Sequence, residues 1–376
     1  MTVTDLAHSQ SISDMLAERI EAGDFPSAVY VVAEAGRVRF ADALGDAVRE
    51  PEVRAATFGT IYDLASLTKP LVTGMLLALL FERSAVGLDA AVSEYLPEFG
   101  AGDKRAVTVR HLLTHTSGLP AWQPLYLSTG ADHVLETIAA QPLEQAPGER
   151  VVYSDLGFIT LGLLAQSVTN TQLADLARRE IFEPLELRRT FFNPEKAIQA
   201  EVAACESGGN SYERGMCETQ PGAERAQWRE RTIWGEVHDG NAYFLGGAAG
   251  HAGLFADARE TLRLATQFLP GTTALLDPDT CRLFRTNMTE GLNEARSFGW
   301  QLAATPESTA GPRLPPEAFG HLGFTGTSCW LDPTTERVFI LLTNRTHARA
   351  LPFVNINGVR RRFHTLAVEA LEGHGA

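Results

Sequence analysis

Ser66-Leu67-Thr68-Lys69 places a hydroxyl and an amine three residues apart. On a helix that spacing puts both side chains on one face. A lysine that has lost its proton can take one from such a serine and leave a nucleophile. Pro70 fixes where the pair sits, because its ring would clash with the Ser66 carbonyl inside a helix. The helix must therefore begin close to residues 66 to 69, with Ser66 at its N-terminal edge. Positive partial charge there opposes protonation of Lys69 and favours a developing oxyanion. The plain alternative is Ser66 as an N-cap and Lys69 as a surface charge. Lysine usage weighs for chemistry: of 32 basic residues only Lys69, Lys104 and Lys196 are lysines. Arginine supplies charge here by default, and releasing a proton is the task arginine cannot perform.

Three further stretches carry candidate groups. The run Arg110 to Pro120 ends a helix in a Gly-Pro loop, Tyr153-Ser154-Asp155 precedes a helical stretch, and His321 to Thr327 opens a strand. Tyr153 offers a phenol that would need neighbouring cations, or a proton shared with Lys69, to act as a base; the alternative is a core aromatic. Asp155 next to Lys69 would raise the lysine pKa, working against a base. A glycine-rich block, Val237 to Leu254, implies backbone held close to something. His238, Asp239 and His251 match no standard zinc spacing, so no metal is expected. His111 and His115, at i and i+4, are read as hydrogen-bonded structural histidines rather than ligands. Trp122 could wall an acyl pocket or simply pack.

With these segments the sequence resembles the serine β-lactamase-like superfamily: class C β-lactamases, penicillin-binding carboxypeptidases, D-aminopeptidases and family VIII esterases. The resemblance runs from the Ser27 hairpin to the last helix, with S-x-x-K, a tyrosine motif and H-x-G in the family's order. It implies Ser66 as the acyl-accepting nucleophile, Lys69 as its proton partner and Tyr153 as a second base. It also implies an oxyanion hole from the N–H groups of Ser66 and Phe324, with Gly323 letting that strand edge approach the acyl group, a cleft border at Val237 to Leu254 where His251 and less securely His238 contact substrate, and no cofactor. Asp155 stands where the β-lactamases carry asparagine, His321 where the third motif carries lysine, and Leu322 where it carries a hydroxyl. A neutral histidine anchors a substrate carboxylate poorly at pH 7. The expected activity is therefore hydrolysis of an ester, or of an amide at a D-residue, by an acyl-enzyme, with little β-lactam turnover. A non-hydrolytic penicillin-binding sensor or scaffold is the second class, and acyl transfer to an alcohol or amine by the same residues is a third.

The elements that must position these groups follow from periodicity. Helical spacing covers Ser11–Glu21, 67–82, Thr108–Thr114, His133–Ala140, Leu156–Thr169, Ala258–Phe268 and Val354–Glu372. Strand signals cover Ser27–Glu34 and Arg37–Leu44, joined by an Ala35-Gly36 turn, then Phe298–Ala303, Gly323–Leu331 and Val338–Thr343. Strands at both ends and helices between imply an α+β fold: terminal strands join in one antiparallel sheet flanked by helices, with a mostly helical subdomain inserted. The expected division is 1–85 with 286–376 for the sheet subdomain and 86–285 for the insert, with the site in the cleft between them. Glu206 to Gln227 reads as a long surface loop, and Arg360-Arg361-Arg362 as a solvated or carboxylate-paired helix face.

Composition narrows the partners. With 46 acidic residues against 32 basic, the net charge of −14 opposes nucleic acid and anionic membrane. The best apolar stretch, Leu71 to Phe81, is too short to span a bilayer and fits a buried helix. Cys205, Cys217, Cys281 and Cys329 lack a C-x-x-C pair and read as free thiols. The start, Met1 to His8, shows no basic or apolar leader region, which favours the cytoplasm.

Overall fold

The computed structural model of the chain describes residues 7–373. Met1 to Leu6, part of the stretch behind the cytoplasmic expectation, lie outside the described residues.

The strands are β1 (Ser27–Glu34), β2 (Arg37–Val48), β3 (Arg54–Ala55), β4 (Tyr62–Asp63), β5 (Phe191–Phe192), β6 (Leu254–Ala256), β7 (Gln301–Leu302), β8 (Phe319–Leu322), β9 (Ser328–Asp332) and β10 (Arg337–Thr343). Seven form one antiparallel sheet in the order β3-β2-β1-β10-β9-β8-β7, and β4, β6 and β5 form a small second one. The mixed architecture, a large antiparallel sheet flanked by helices, is the one its alternating terminal strands imply. Along β1, Val29, Val31 and Ala33 enter one apolar cluster while Ala28, Tyr30 and Val32 enter another. That period of two is what a strand covered on both faces requires. β10 repeats it, with Val338, Ile340 and Leu342 on one side and Phe339 and Leu341 on the other. The two strands pair from Ala28↔Thr343 to Glu34↔Arg337, tying the chain's ends together. The terminal helices Gln10–Glu21 and Asn357–Gly373 cover one face through Ile12, Leu16, Phe363 and Ala367. The β1–β2 turn uses Ala35 and Gly36 at positive φ, the hairpin geometry that matches strand twist.

Three expectations need correction here. The strand over Gly323–Leu331 is instead a hairpin: β8 ends at Leu322, and the Gly323 N–H donates to Thr327 O (2.8 Å) across the turn. The strand over Phe298–Ala303 shrinks to β7, because Ser297 N bonds Trp300 O (3.0 Å) in a tight turn. Finally, Glu206 to Gln227 is not a solvated loop. It contains the helix Ser211–Cys217, and Glu206, Asn210, Glu213 and Cys217 are buried. Its polar groups find partners inside the protein: Tyr212 N donates to Glu206 Oε1 (2.8 Å) and Arg229 Nε to Asn210 Oδ1 (2.7 Å). Polarity read residue by residue does not reveal partners that arrive from further along the chain.

The helix expected over 67–82 is a 3-10 turn (Ala65–Leu67), a wide π turn (Lys69–Gly74) and an α-helix (Met75–Glu82). Pro70 donates no N–H, which suits the irregular start. The stretch Ala65–Glu82 is apolar and long enough to cross a membrane, yet 83% of it is buried inside the fold, as in a core helix.

Candidate active site

A cavity of about 440 Å³ opens beside Ser66, and its walls include Trp122, Tyr153, Asp155, His321 and Phe324. Ser66 follows Ala65, which is held at φ +48, a conformation uncommon for a residue with a Cβ. Asp63 secures that bend: its Oδ1 accepts from Ala65 N (2.8 Å) and its Oδ2 from His238 N (2.7 Å). Burial pushes the Asp63 carboxyl above the ordinary range.

Lys69 is fully buried. Its Nζ donates to Ser66 Oγ (2.9 Å) and to His251 O (3.0 Å), and Asp155 Oδ1 lies 2.7 Å away. The Asp155 oxygen has no well-directed hydrogen bond, so this last contact is charge against charge. Burial pushes the ammonium down, but Asp155 and then Tyr153 more than reverse it, and Lys69 ends above the usual lysine value. The tension the sequence places between Asp155 and a basic lysine is therefore present in the geometry. Tyr153 has its ring centroid 4.9 Å from Lys69 Nζ. Burial raises its phenol above the ordinary value, while Lys69 and the Ser66 hydroxyl pull it down.

The helix Asp155–Thr169 presents Tyr153 and Asp155 at its start. Ser154 caps it, accepting from Gly157 N (3.2 Å) while donating to Pro120 O (2.7 Å). His115, at φ +59, lies with its ring centroid 4.6 Å from that of Tyr153, tilted by 36°, and accepts from Ser154 N (3.0 Å) at Nδ1. Its burial drives the imidazole well below the ordinary histidine value. His111 Nδ1 accepts from Thr108 N (3.2 Å) at the start of its own short helix. His115 braces the Tyr153 segment while His111 caps its own helix, and the two do not form a ligand pair.

On the third side, His321 is the next-to-last residue of β8. Its Nδ1–H donates to Leu322 O (2.9 Å), and burial keeps the ring well below the ordinary value, so it is neutral and presents no charge. Gly323 is required by crowding: a Cβ there would lie 2.0 Å from Thr327 Oγ1 and 2.6 Å from Leu64 O. Thr325 and Thr327 donate to Asp63 O (2.7 Å) and Leu64 O (3.0 Å), lashing the hairpin turn to the Ser66 segment.

Two expectations fail at this site. The His251 side chain is no substrate contact: it is fully buried away from the cavity, its Nε2 paired with Asp239 Oδ1 (2.8 Å). The glycine-rich block instead packs backbone on backbone, since a Cβ on Gly250 would sit 2.0 Å from Phe158 O. That close approach delivers His251 O to Lys69. His238, the less secure of the two, does line the cavity, paired with Glu206 Oε2 (3.0 Å). Among the described residues no group of three His, Cys, Asp or Glu side chains is placed to hold a metal ion. Arg360 is likewise misjudged: it is 5% exposed, has no carboxylate partner among the described residues and reaches the cavity wall. The signal was present, because Phe363, His364, Ala367 and Leu371 place residue 360 on the buried face of its helix. Arg296, Tyr212, Glu213 and Arg345 also line the cavity and escape the sequence reading, having no motif around them.

A serine hydroxyl bonded to a buried lysine, beside a tyrosine and a glycine-turned strand end, defines a serine-nucleophile site on an α+β scaffold. Residues 12–357 match the Beta-lactamase family model, and the chain belongs to that family. It is 30% identical over 365 residues to a protein of Escherichia coli (strain K12) described as a "Putative D-alanyl-D-alanine carboxypeptidase", covering 89% of this chain and 81% of the relative. Its fold is similar to a class C β-lactamase from Rhodobacter sphaeroides (TM-score 0.72, 19% identity, 96% of this chain and 100% of the other). It is equally similar to EstCE1, described as a hydrolase with promiscuous acyltransferase activity (TM-score 0.72, 23% identity, 94% and 97%).

Proposed function

We propose that this protein is a serine hydrolase that cleaves a carboxylic ester, or an amide bond at a D-residue, through an acyl-enzyme on Ser66. The observation that carries the reading is the 2.9 Å bond between Lys69 Nζ and Ser66 Oγ at the edge of the cavity. Ser66 Oγ attacks the substrate carbonyl carbon as its proton passes to the Lys69–Tyr153 pair, and the oxyanion forms against the N–H groups of Ser66 and Phe324. The pair returns the proton to the leaving group, then takes one from water as the hydroxide adds to the acyl carbon, and passes it to Ser66 Oγ as the acid departs. Because both pair members titrate high, the reactive form is the one that has lost one proton from the pair. The name of the Escherichia coli relative makes D-alanyl peptides a first substrate class to try, and neutral His321 supports weak turnover of β-lactams.

The test compares wild type and Ser66→Ala on a short nitrophenyl ester, a D-alanyl anilide and a chromogenic cephalosporin. Ester or anilide cleavage that vanishes in the variant is expected. A faster cephalosporin reaction would overturn the substrate reading, and the absence of any Ser66-dependent turnover would favour the penicillin-binding sensor.

A further inference from the structure

The Gly323–Phe324 peptide unit carries the N–H that the mechanism above places on the oxyanion, and two guanidiniums grip its surroundings. Arg360 Nη2 donates to Gly323 O (2.9 Å), the carbonyl of that same peptide unit, and to Thr327 O (3.0 Å). Arg345 Nε donates to Phe324 O (2.7 Å), one unit further on, and its guanidinium lies 4.8 Å from the centroid of the Phe324 ring. Neither arginine has a carboxylate partner among the described residues. Burial lowers Arg360 to about 9, with Arg345 adding to the effect, so it stays charged at neutral pH.

Two neighbouring guanidiniums, one almost wholly buried, without a counter-charge are costly to the resting fold. Neutral donors could hold the same carbonyls at less cost. A charge left uncompensated at rest is best used when a negative charge appears beside it, as it does on the tetrahedral intermediate. A cation on a peptide carbonyl also draws electron density through the conjugated C–N bond and makes the N–H at the other end a stronger donor. We propose that Arg360, assisted by Arg345, is a positioning residue that fixes and polarises the Phe324 N–H for the oxyanion. The proposal rests on the serine hydrolase reading above.

The test uses a neutral probe, p-nitrophenyl butyrate, and a nitrophenyl ester of the same length bearing a free carboxylate. Phenylboronic acid, which forms a tetrahedral anionic adduct with a serine, reports on the oxyanion hole directly. Arg360→Gln should lower kcat on the neutral ester about tenfold, short of the ~10²–10³ that follows loss of an oxyanion donor outright. KM should stay within about twofold, because the interaction strengthens only in the transition state. Boronate affinity should fall in step with kcat, and Arg360→Lys, which keeps the charge, should recover part of both. Arg345→Gln should show the same pattern at about threefold, through its more distant carbonyl, and carries the test if Arg360→Gln fails to fold. Unchanged kcat and boronate affinity in a folded variant would overturn the proposal. So would an effect confined to KM for the carboxylate-bearing ester, which would make Arg360 a substrate anchor. Wild type without Ser66-dependent turnover would instead bring down the hydrolase reading itself, and this proposal with it.

Discussion

One set of cavity walls, formed by Ser66 with Lys69 buried behind it, Tyr153 with Asp155, and His321 to Phe324, comes from three short segments in which neighbours in sequence are neighbours in space. The other joins Tyr212 and Glu213 of the polar stretch Glu206 to Gln227 with His238 and Asp239 of the glycine-rich block, and its buried groups meet only through tertiary contacts. In the first set the polar groups converge on the Ser66 hydroxyl. In the second they satisfy one another: Glu213 Oε1 accepts from Gly240 N (2.8 Å), and Asp239 holds His251. On the function proposed above, the first set carries the reaction and the second borders the space a substrate would occupy. Substitutions in the first should therefore change kcat for every substrate, while those in the second should alter stability, pH response and the ranking of substrates.

The sharpest way to break that division is Lys69→Arg. Arginine keeps the charge but cannot give up its proton, so turnover of all substrates should fall about 10³-fold, within the range for losing a general base. A variant that stays folded by thermal melting and remains active would remove Lys69 from the chemistry. Tyr153→Phe should cost about 10²-fold on the same grounds.

Asp155→Asn tests the tension within the first set. Asp155 raises both the lysine and the phenol. Removing its charge lowers both, so the rise of kcat/KM with pH should move to lower pH in the variant. A limb that stays put, or moves up, would show that the Lys69–Tyr153 pair does not set the profile.

The smallest effect is expected in the second set. Burial, and then Asp239, raises Glu213 from 4.5 to about 7. Between those values the unfolded chain releases this proton more readily than the folded one, so folded stability falls as pH rises through the window. Glu213→Gln removes that loss. Its Tm relative to wild type should be higher by a few degrees at about pH 8 than at about pH 4. An equal difference at both would show that Glu213 is not strained by its burial.

The same division explains what could be read from the residues alone. Alternation along β1 and β10, the Pro70 boundary and the Ser66–Lys69 spacing are local signals, and they lead to the sheet and to the serine–lysine pair. The hairpin at Gly323 to Thr327 hides in the sequence because Phe324, Thr325 and Thr327, residues that favour strands, carry the strand signal across its two glycines. The buried role of Glu206 to Glu213 depends on His238, Arg229 and Gly240, which no window around residue 210 contains. Glycines at 246 to 253 marked a close backbone approach, but not that the neighbour was the helix of Phe158 rather than substrate.

The central claim is that Ser66 carries the acyl group. Mixing wild type with p-nitrophenyl butyrate, quenching in acid within the first turnovers and mapping the peptides by mass spectrometry tests it directly. A butyryl group on the Ser66 peptide, absent from Ser66→Ala, is the predicted result. Turnover with no acylated peptide, or with the acyl group on another residue, would contradict the account.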